Sequence, residues 1–286
     1  IIILLAVVMI SLSYAFRDSI FSSSTTIFSA ESLTPELSIH GEKYLKMLLE
    51  RQYVQMSNEL ELHLVPSNGG QDTEMLYALN SLVRDEKWLL QYFDEWVKAT
   101  PKKAVPYLVR ADFLMNQGVL ARGADYIKNT PQSNLIEMRR LFKLSIGDLR
   151  KVKSINTQTA YPYAIELNIA LRQGSVFPKK DIYSQGVIRD PSLNWIHHAY
   201  LSTLDPKWGG STDEERQFIE ELRSEYVSYP WLKSTEASWM INSVDDLPQE
   251  TCDKVAEYQQ VYEFHRDSWS SYNVGKAYSC NLQFEE

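Results

Sequence analysis

Few residues in this chain combine the types and spacing that catalysis or ligation demands. The adjacent pair His197-His198 is the one histidine cluster. Neighbouring residues on a helix point about 100° apart, so these two imidazoles do not readily share a metal ion. His40, His63 and His265 are scattered without ligand spacing. A serine nucleophile elbow, a phosphate-binding glycine loop and a His-Glu-x-x-His helix are all missing from the sequence. The acidic runs Asp213-Glu214-Glu215 and Asp245-Asp246 read as solvated helix surface. A carboxylate pair for glycoside chemistry needs only proximity in space, so it stays open. The sequence therefore nominates no catalytic, cofactor-binding or metal-binding residue.

The least generic stretch is Asp205-Pro206-Lys207-Trp208-Gly209-Gly210-Ser211-Thr212-Asp213-Glu214. Asp205-Pro206 should stop the preceding helix, because proline lacks a backbone donor and restricts the residue before it. Gly209-Gly210 permits positive φ angles. Ser211 and Glu214 have the spacing of a capping box, which starts a helix at Thr212. Phe218, Ile219, Leu222 and Tyr226 then mark one helical face. Trp208 beside two glycines is expected to insert between helices and anchor a corner. The alternative is an anion held by the glycine amides and the new helix N-terminus.

The elements that position this corner read as helices throughout. Tyr44, Leu45, Leu48 and Leu49 share a face, followed by Val54, Leu60, Leu62 and Leu64 before Pro66. A helix over Met75 to Val83 and another through Trp88, Leu89, Tyr92, Phe93 and Trp96 follow. Thr100-Pro101, Thr130-Pro131 and Asp190-Pro191 are expected to place a capping side chain before a proline at the first helical position. Ala104-Val105-Pro106-Tyr107 up to Gln117-Gly118 matches Ala160-Tyr161-Pro162-Tyr163 up to Gln173-Gly174 at an offset of 56 residues, with Gln-Gly read as a repeated helix end. The expected fold is all-α: an array of antiparallel helical hairpins, a tetratricopeptide- or Sel1-like α-solenoid, over residues 37–286.

A chain of 286 residues can bury a substantial core. Its 11 Gly and 11 Pro argue against disorder and against a turn-rich β protein. With 17 Tyr and 7 Trp, aromatics are in surplus: they either fill spaces between helices or line a groove for sugars or peptides. A net charge of −8 argues against nucleic acid as a partner.

Residues 1–16 are nearly all apolar, with the first charge at Arg17. They are expected to be a signal peptide, for which Ser13-Tyr14-Ala15 offers a cleavage site, or an uncleaved membrane anchor. Either places the body outside the cytoplasm, in the periplasm. A buried core helix is the competing reading. Residues 17–36 are rich in serine and threonine and read as a linker. Cys252 and Cys280 fall in two adjacent predicted helices whose midpoint is Arg266, so a hairpin would bring their sulfurs level and allow a disulfide in an oxidising compartment. Two separate buried thiols is the alternative.

Leu204-Asp205-Pro206-Lys207-Trp208-Gly209-Gly210-Ser211 resembles the Pro-x-Trp-Gly-Gly-Ser hallmark of the bacterial domain-of-unknown-function family DUF 4034. Leu120-Ala121-Arg122-Gly123 resembles its Ala-Arg-Gly segment, and Trp96 to Pro101 its Trp-then-Pro opening. The resemblance spans about Met75 to Tyr226 and departs from the pattern at Val119-Leu120, where an aromatic is expected nearby. It implies a tetratricopeptide-like helical domain and carries no catalytic residue. The expected function is a non-enzymatic helical-repeat protein that binds a protein partner, with no cofactor. The alternative is an extracytoplasmic enzyme or carbohydrate binder with an aromatic-lined cleft.

Overall fold

A computed structural model of the protein describes residues 43–66, 74–124, 127–173 and 178–242. The expected signal or anchor (1–16), the linker (17–36), Cys252 and Cys280 all lie outside the described residues. The described chain is all-helical. After a helical stretch at 43–49 come α1 (Tyr53–Glu61), α2 (Glu74–Leu82), α3 (Leu90–Ala99), α4 (Val105–Arg122) and α5 (Gln132–Ile155). They are followed by α6 (Tyr161–Gln173), α7 (Lys179–Val187), α8 (Asn194–Leu204), α9 (Thr212–Arg223) and α10 (Lys233–Asn242).

The two matching segments begin two matching helices. Val105 and Tyr161 open α4 and α6, and Pro106 and Pro162 stand second, where the missing N–H has no intrahelical partner to lose. The expected Gln-Gly helix end fails at the first copy: Gln117-Gly118 lies inside α4, which continues to Arg122, while Gly174 lies outside the described residues. Gly118 is a close-approach glycine: a Cβ there would sit 2.6 Å from the Phe142 ring of α5. Helix packing, not termination, is what this glycine serves.

Among the described helices, α4 and α5 pack most extensively on each other. Its register runs antiparallel: Gly118 lies against Phe142, Ser145 donates to the Ala111 carbonyl at 2.7 Å, and Arg110 grips Asp148. The α7–α8 pair is also antiparallel, since Gly186 lies against Ile196 while Tyr183 bonds His197 and Lys179 reaches Thr203. By contrast α1 and α3 run parallel. Tyr53 meets Glu95, Ser57 meets Thr100, and Glu61 accepts from the Ala104 amide.

A continuous core runs through these layers, from Tyr44 and Leu48 through Phe93, Trp96, Phe113 and Phe142 to Ile196, Phe218 and Leu232. On α1 the buried face is Tyr53, Met56, Ser57 and Leu60, while Val54 and Leu62, two apolar residues of the same expected helical stretch, are exposed. Trp88, assigned to the α3 face, is exposed as well and stands edge-on to Tyr92. The Thr/Asp-Pro helix starts are also corrected. Thr100 closes α3, its hydroxyl donating back to the Trp96 carbonyl, and α4 begins only at Val105. Pro131 precedes α5 by one residue with no side-chain cap. Asp190 accepts from the Ser192 amide and hydroxyl in a side-chain-stabilised turn, three residues ahead of α8. At Thr100 and Asp190 a polar side chain satisfies local backbone groups without starting a helix there. A further helix end had no glycine to announce it: Arg51 takes φ +60°, while Gln52 bonds back to the Met47 carbonyl.

Candidate functional site

The Trp208-Gly209-Gly210-Ser211 corner joins α8 to α9. α8 ends at Leu204, and the Asp205 carboxylate accepts from the Lys207 amide at 2.6 Å. Pro206–Trp208 forms one short 3-10 turn, which Gly209 closes in the left-handed region at φ +89°. Gly210 has a different reason to be glycine. A Cβ there would lie 1.9 Å from the Leu204 carbonyl oxygen, a backbone atom that cannot swing aside. Ser211 caps α9, its hydroxyl oxygen accepting from the Glu214 amide at 3.2 Å. The reciprocal contact differs from a full capping box: the Ser211 hydroxyl donates to the Glu214 carboxylate at 3.0 Å.

The expected insertion of Trp208 between helices does not occur. Its ring is half-buried, outside the core, with Lys207 above it at 5.8 Å. The corner is held by main chain and by Lys179 of α7, whose ammonium donates to the Thr203 and Trp208 carbonyls at 3.3 and 3.4 Å. A cation there complements the carbonyl end of α8. Asp213, Glu214 and Glu215 already supply negative charge to the first turn of α9. Arg122 and Gly123 form a separate corner. Arg122 ends α4, Gly123 takes φ +79°, and the Arg122 guanidinium donates to the Gly123 carbonyl at 3.0 Å.

The remaining chemistry-bearing side chains are engaged within the fold. His197 Nε2 faces the Pro191 carbonyl at 2.8 Å, so it carries the proton; Nδ1 then accepts from the Tyr183 hydroxyl at 2.9 Å. Burial pushes His197 down to about 4, which keeps the ring neutral. His198, its neighbour, is pushed to about 3 by burial and by His197. Tyr183 also stacks on Tyr200 at 4.2 Å, with Phe218 edge-on to both. This aromatic cluster welds α7, α8 and α9 together. Asp94 and Asp148 are both held by Arg110 at 2.7–2.8 Å. Each carboxylate is committed to the guanidinium as a charge-assisted hydrogen-bond acceptor. Glu236, 1% exposed, is similarly held by Arg223 and the Tyr226 hydroxyl.

One buried carboxyl stands apart. Asp112, in the middle of α4 and 6% exposed, receives no hydrogen bond and no counter-charge from any described residue, and burial alone pushes it up to about 7. At the matching position of α6, 56 residues on, the chain carries Asn168. Among the described residues no three His, Cys, Asp or Glu side chains converge as metal ligands, and no described helix is long and apolar enough to cross a membrane.

The outer face of α5 is a feature that sequence reading missed. This 24-residue helix buries Leu135, Met138, Leu141, Phe142, Ser145, Asp148, Leu149 and Val152 against its neighbours. Its opposite side exposes Arg139, Arg140, Lys143, Arg150 and Lys151 together with Ile136 and Leu144. The overall charge of −8 hid this local excess; a charge count within a sliding window along the chain reveals it. No family model matches the chain, and neither does any curated protein or solved structure.

Proposed function

We propose that the protein is a non-enzymatic helical-repeat scaffold, exported or membrane-anchored, that binds a protein partner. The observation that carries this reading is where the side chains go. The potentially catalytic groups described above are mostly pinned inside the fold, whereas large apolar side chains at Trp88, Ile136, Leu144, Ile188 and Val227 remain on outer surfaces. Paired helices with matching starts at Val105 and Tyr161 support a solenoid-like stacking of units, in which neighbours share one core and the outer faces are left for recognition. Trp96, Phe93, Phe113, Phe142, Tyr163 and Trp231 are spent on packing, which removes the main motive for an aromatic-lined sugar cleft.

Residues 1–16 carry the export or anchoring part of the proposal, and the resemblance to DUF 4034 carries the assignment to that family. The test is cross-linking in the native host followed by affinity capture. The same protein should be recovered in replicate preparations, and repeated failure to recover any specific protein refutes the reading.

A further inference from the structure

The exposed side of α5 combines three properties that the fold itself does not use. First, its cations lack acids. Arg140 pairs with Glu137 at 2.8 Å, but Arg139, Lys143, Arg150 and Lys151 have no carboxylate partner among the described residues. Such a concentration of positive charge is anomalous in a chain of net charge −8. Secondly, Ile136 and Leu144 stand among these cations, 58% and 47% exposed. With Arg140, Lys143, Gly147 and Lys151 they follow helical spacing and share one arc of the surface.

Thirdly, Gly147 sits at the centre of that arc without an internal reason. Its φ is not positive, and a Cβ added there would meet nothing within 4 Å. Glycine in a helix interior is less favourable than alanine because it loses more backbone entropy on folding. Gly118, the glycine inside α4, is explained by the Phe142 ring it admits. Gly147 admits nothing from the described residues, so the notch it leaves among them is open to a second backbone.

We infer that this face of α5 is the docking surface for an acidic amphipathic helix of a protein partner. The partner's backbone crosses at Gly147, its apolar residues cover Ile136 and Leu144, and its carboxylates meet Arg139, Lys143, Arg150 and Lys151. Helices pack by seating the ridges of one in the grooves of the other, and a missing side chain at the crossing shortens the approach. The complementary charges give speed and orientation to the encounter. A lipid surface fits the same face less well, because two apolar side chains offer little insertion and a fluid bilayer has no ridge to fill a notch. The inference rests on the scaffold reading given above and narrows it to one helix and one partner chemistry.

The test uses the full chain and a fluorescent helical peptide bearing glutamate and leucine on one face, with fluorescence anisotropy as the readout. The peptide should bind at low ionic strength, weaken as salt is raised, and outcompete a matched lysine peptide. Reversing Arg139, Lys143, Arg150 and Lys151 to Glu should weaken binding about tenfold or more. Gly147→Leu should weaken it comparably while melting no lower than the parent, a combination that a purely structural role for Gly147 does not produce.

Absence of peptide binding, or binding indifferent to both variants, overturns the inference. So does tighter α5-dependent binding to phosphatidylserine vesicles or duplex DNA, or self-association of the chain through α5. The broader reading fails separately. If cross-linking captures the same partner with wild type and with both α5 variants, the scaffold stands and the α5 assignment falls; if wild type captures none, the scaffold reading itself falls.

Discussion

Replacing Asp112 by Asn should stabilise the protein, and by an amount that depends on pH in a specified direction. Asp112 lies in the largely buried helix α4, without a partner among the described residues. Its carboxyl is pushed from 3.8 to about 7 by burial alone. A raised carboxyl means that the folded state holds its proton more tightly than the unfolded state. The contribution is therefore intact below about 4, declines as pH rises from 4 to 7, and is flat above 7. At about 1.36 kcal/mol per pH unit, the interval amounts to about 4 kcal/mol. Asn has nearly the same size and cannot ionise, and Asn168 already occupies the matching place in α6. Urea unfolding followed by tryptophan fluorescence at pH 4.5, 6 and 8 gives the comparison. The difference between Asp112→Asn and wild type should grow from about 1 kcal/mol at pH 4.5 to about 4 kcal/mol at pH 8. A difference independent of pH, or a variant less stable than wild type at pH 8, would refute the argument that Asp112 is desolvated and unpaired.

His197 should give the opposite slope over an overlapping range. Its pKa is lowered to about 4 from 6.5, so its contribution is complete above 6.5 and is lost as pH falls towards 4. Replacing it by Asn should flatten that acid limb in the same unfolding experiment. Tyr183→Phe leaves His197 Nδ1 without its donor and should cost about 1–2 kcal/mol by thermal melting at neutral pH. At the α8–α9 corner, Gly210→Ala should cost about 2–3 kcal/mol because its Cβ meets a backbone carbonyl. Trp208→Ala should cost only about 1 kcal/mol, and a larger loss than for Gly210→Ala in a chemical melt would reverse that order. Arg110→Met leaves Asp148 buried and unpaired and should cost about 3 kcal/mol, with Asp148→Asn in the same chain recovering part of it.

The helical architecture was legible because it is written in local chemistry. Apolar spacing along Phe218, Ile219 and Leu222, the stop at Asp205-Pro206, the cap at Ser211 and the paired prolines at 106 and 162 each act within one or two turns. What misled was equally local. Thr100-Pro101 and Asp190-Pro191 have the residue types of helix starts, yet their side chains close turns or helix ends. Val54 and Leu62 have the right hydrophobicity but lie off the face that α3 and α4 cover. Single-residue hydrophobicity does not say which side of a helix finds a neighbour.

The sequence by itself determined that the body is all-α, that the helix before Asp205-Pro206 stops and the next begins at Thr212, and that Gly209 and Ser211 make a corner, since these follow from backbone sterics and short-range hydrogen bonds. Tertiary structure alone decided which side chains are desolvated and which faces are left bare. It placed Trp208 at the margin of the core, left Asp112 without a partner, buried His197 against Tyr183, and turned the cations of α5 outward around Gly147. The reason is that burial and charge pairing are properties of neighbours distant in the chain. The Asp148–Arg110 and Trp231–Ser192 contacts join residues 38 and 39 positions apart, beyond the reach of any pattern read along one helix.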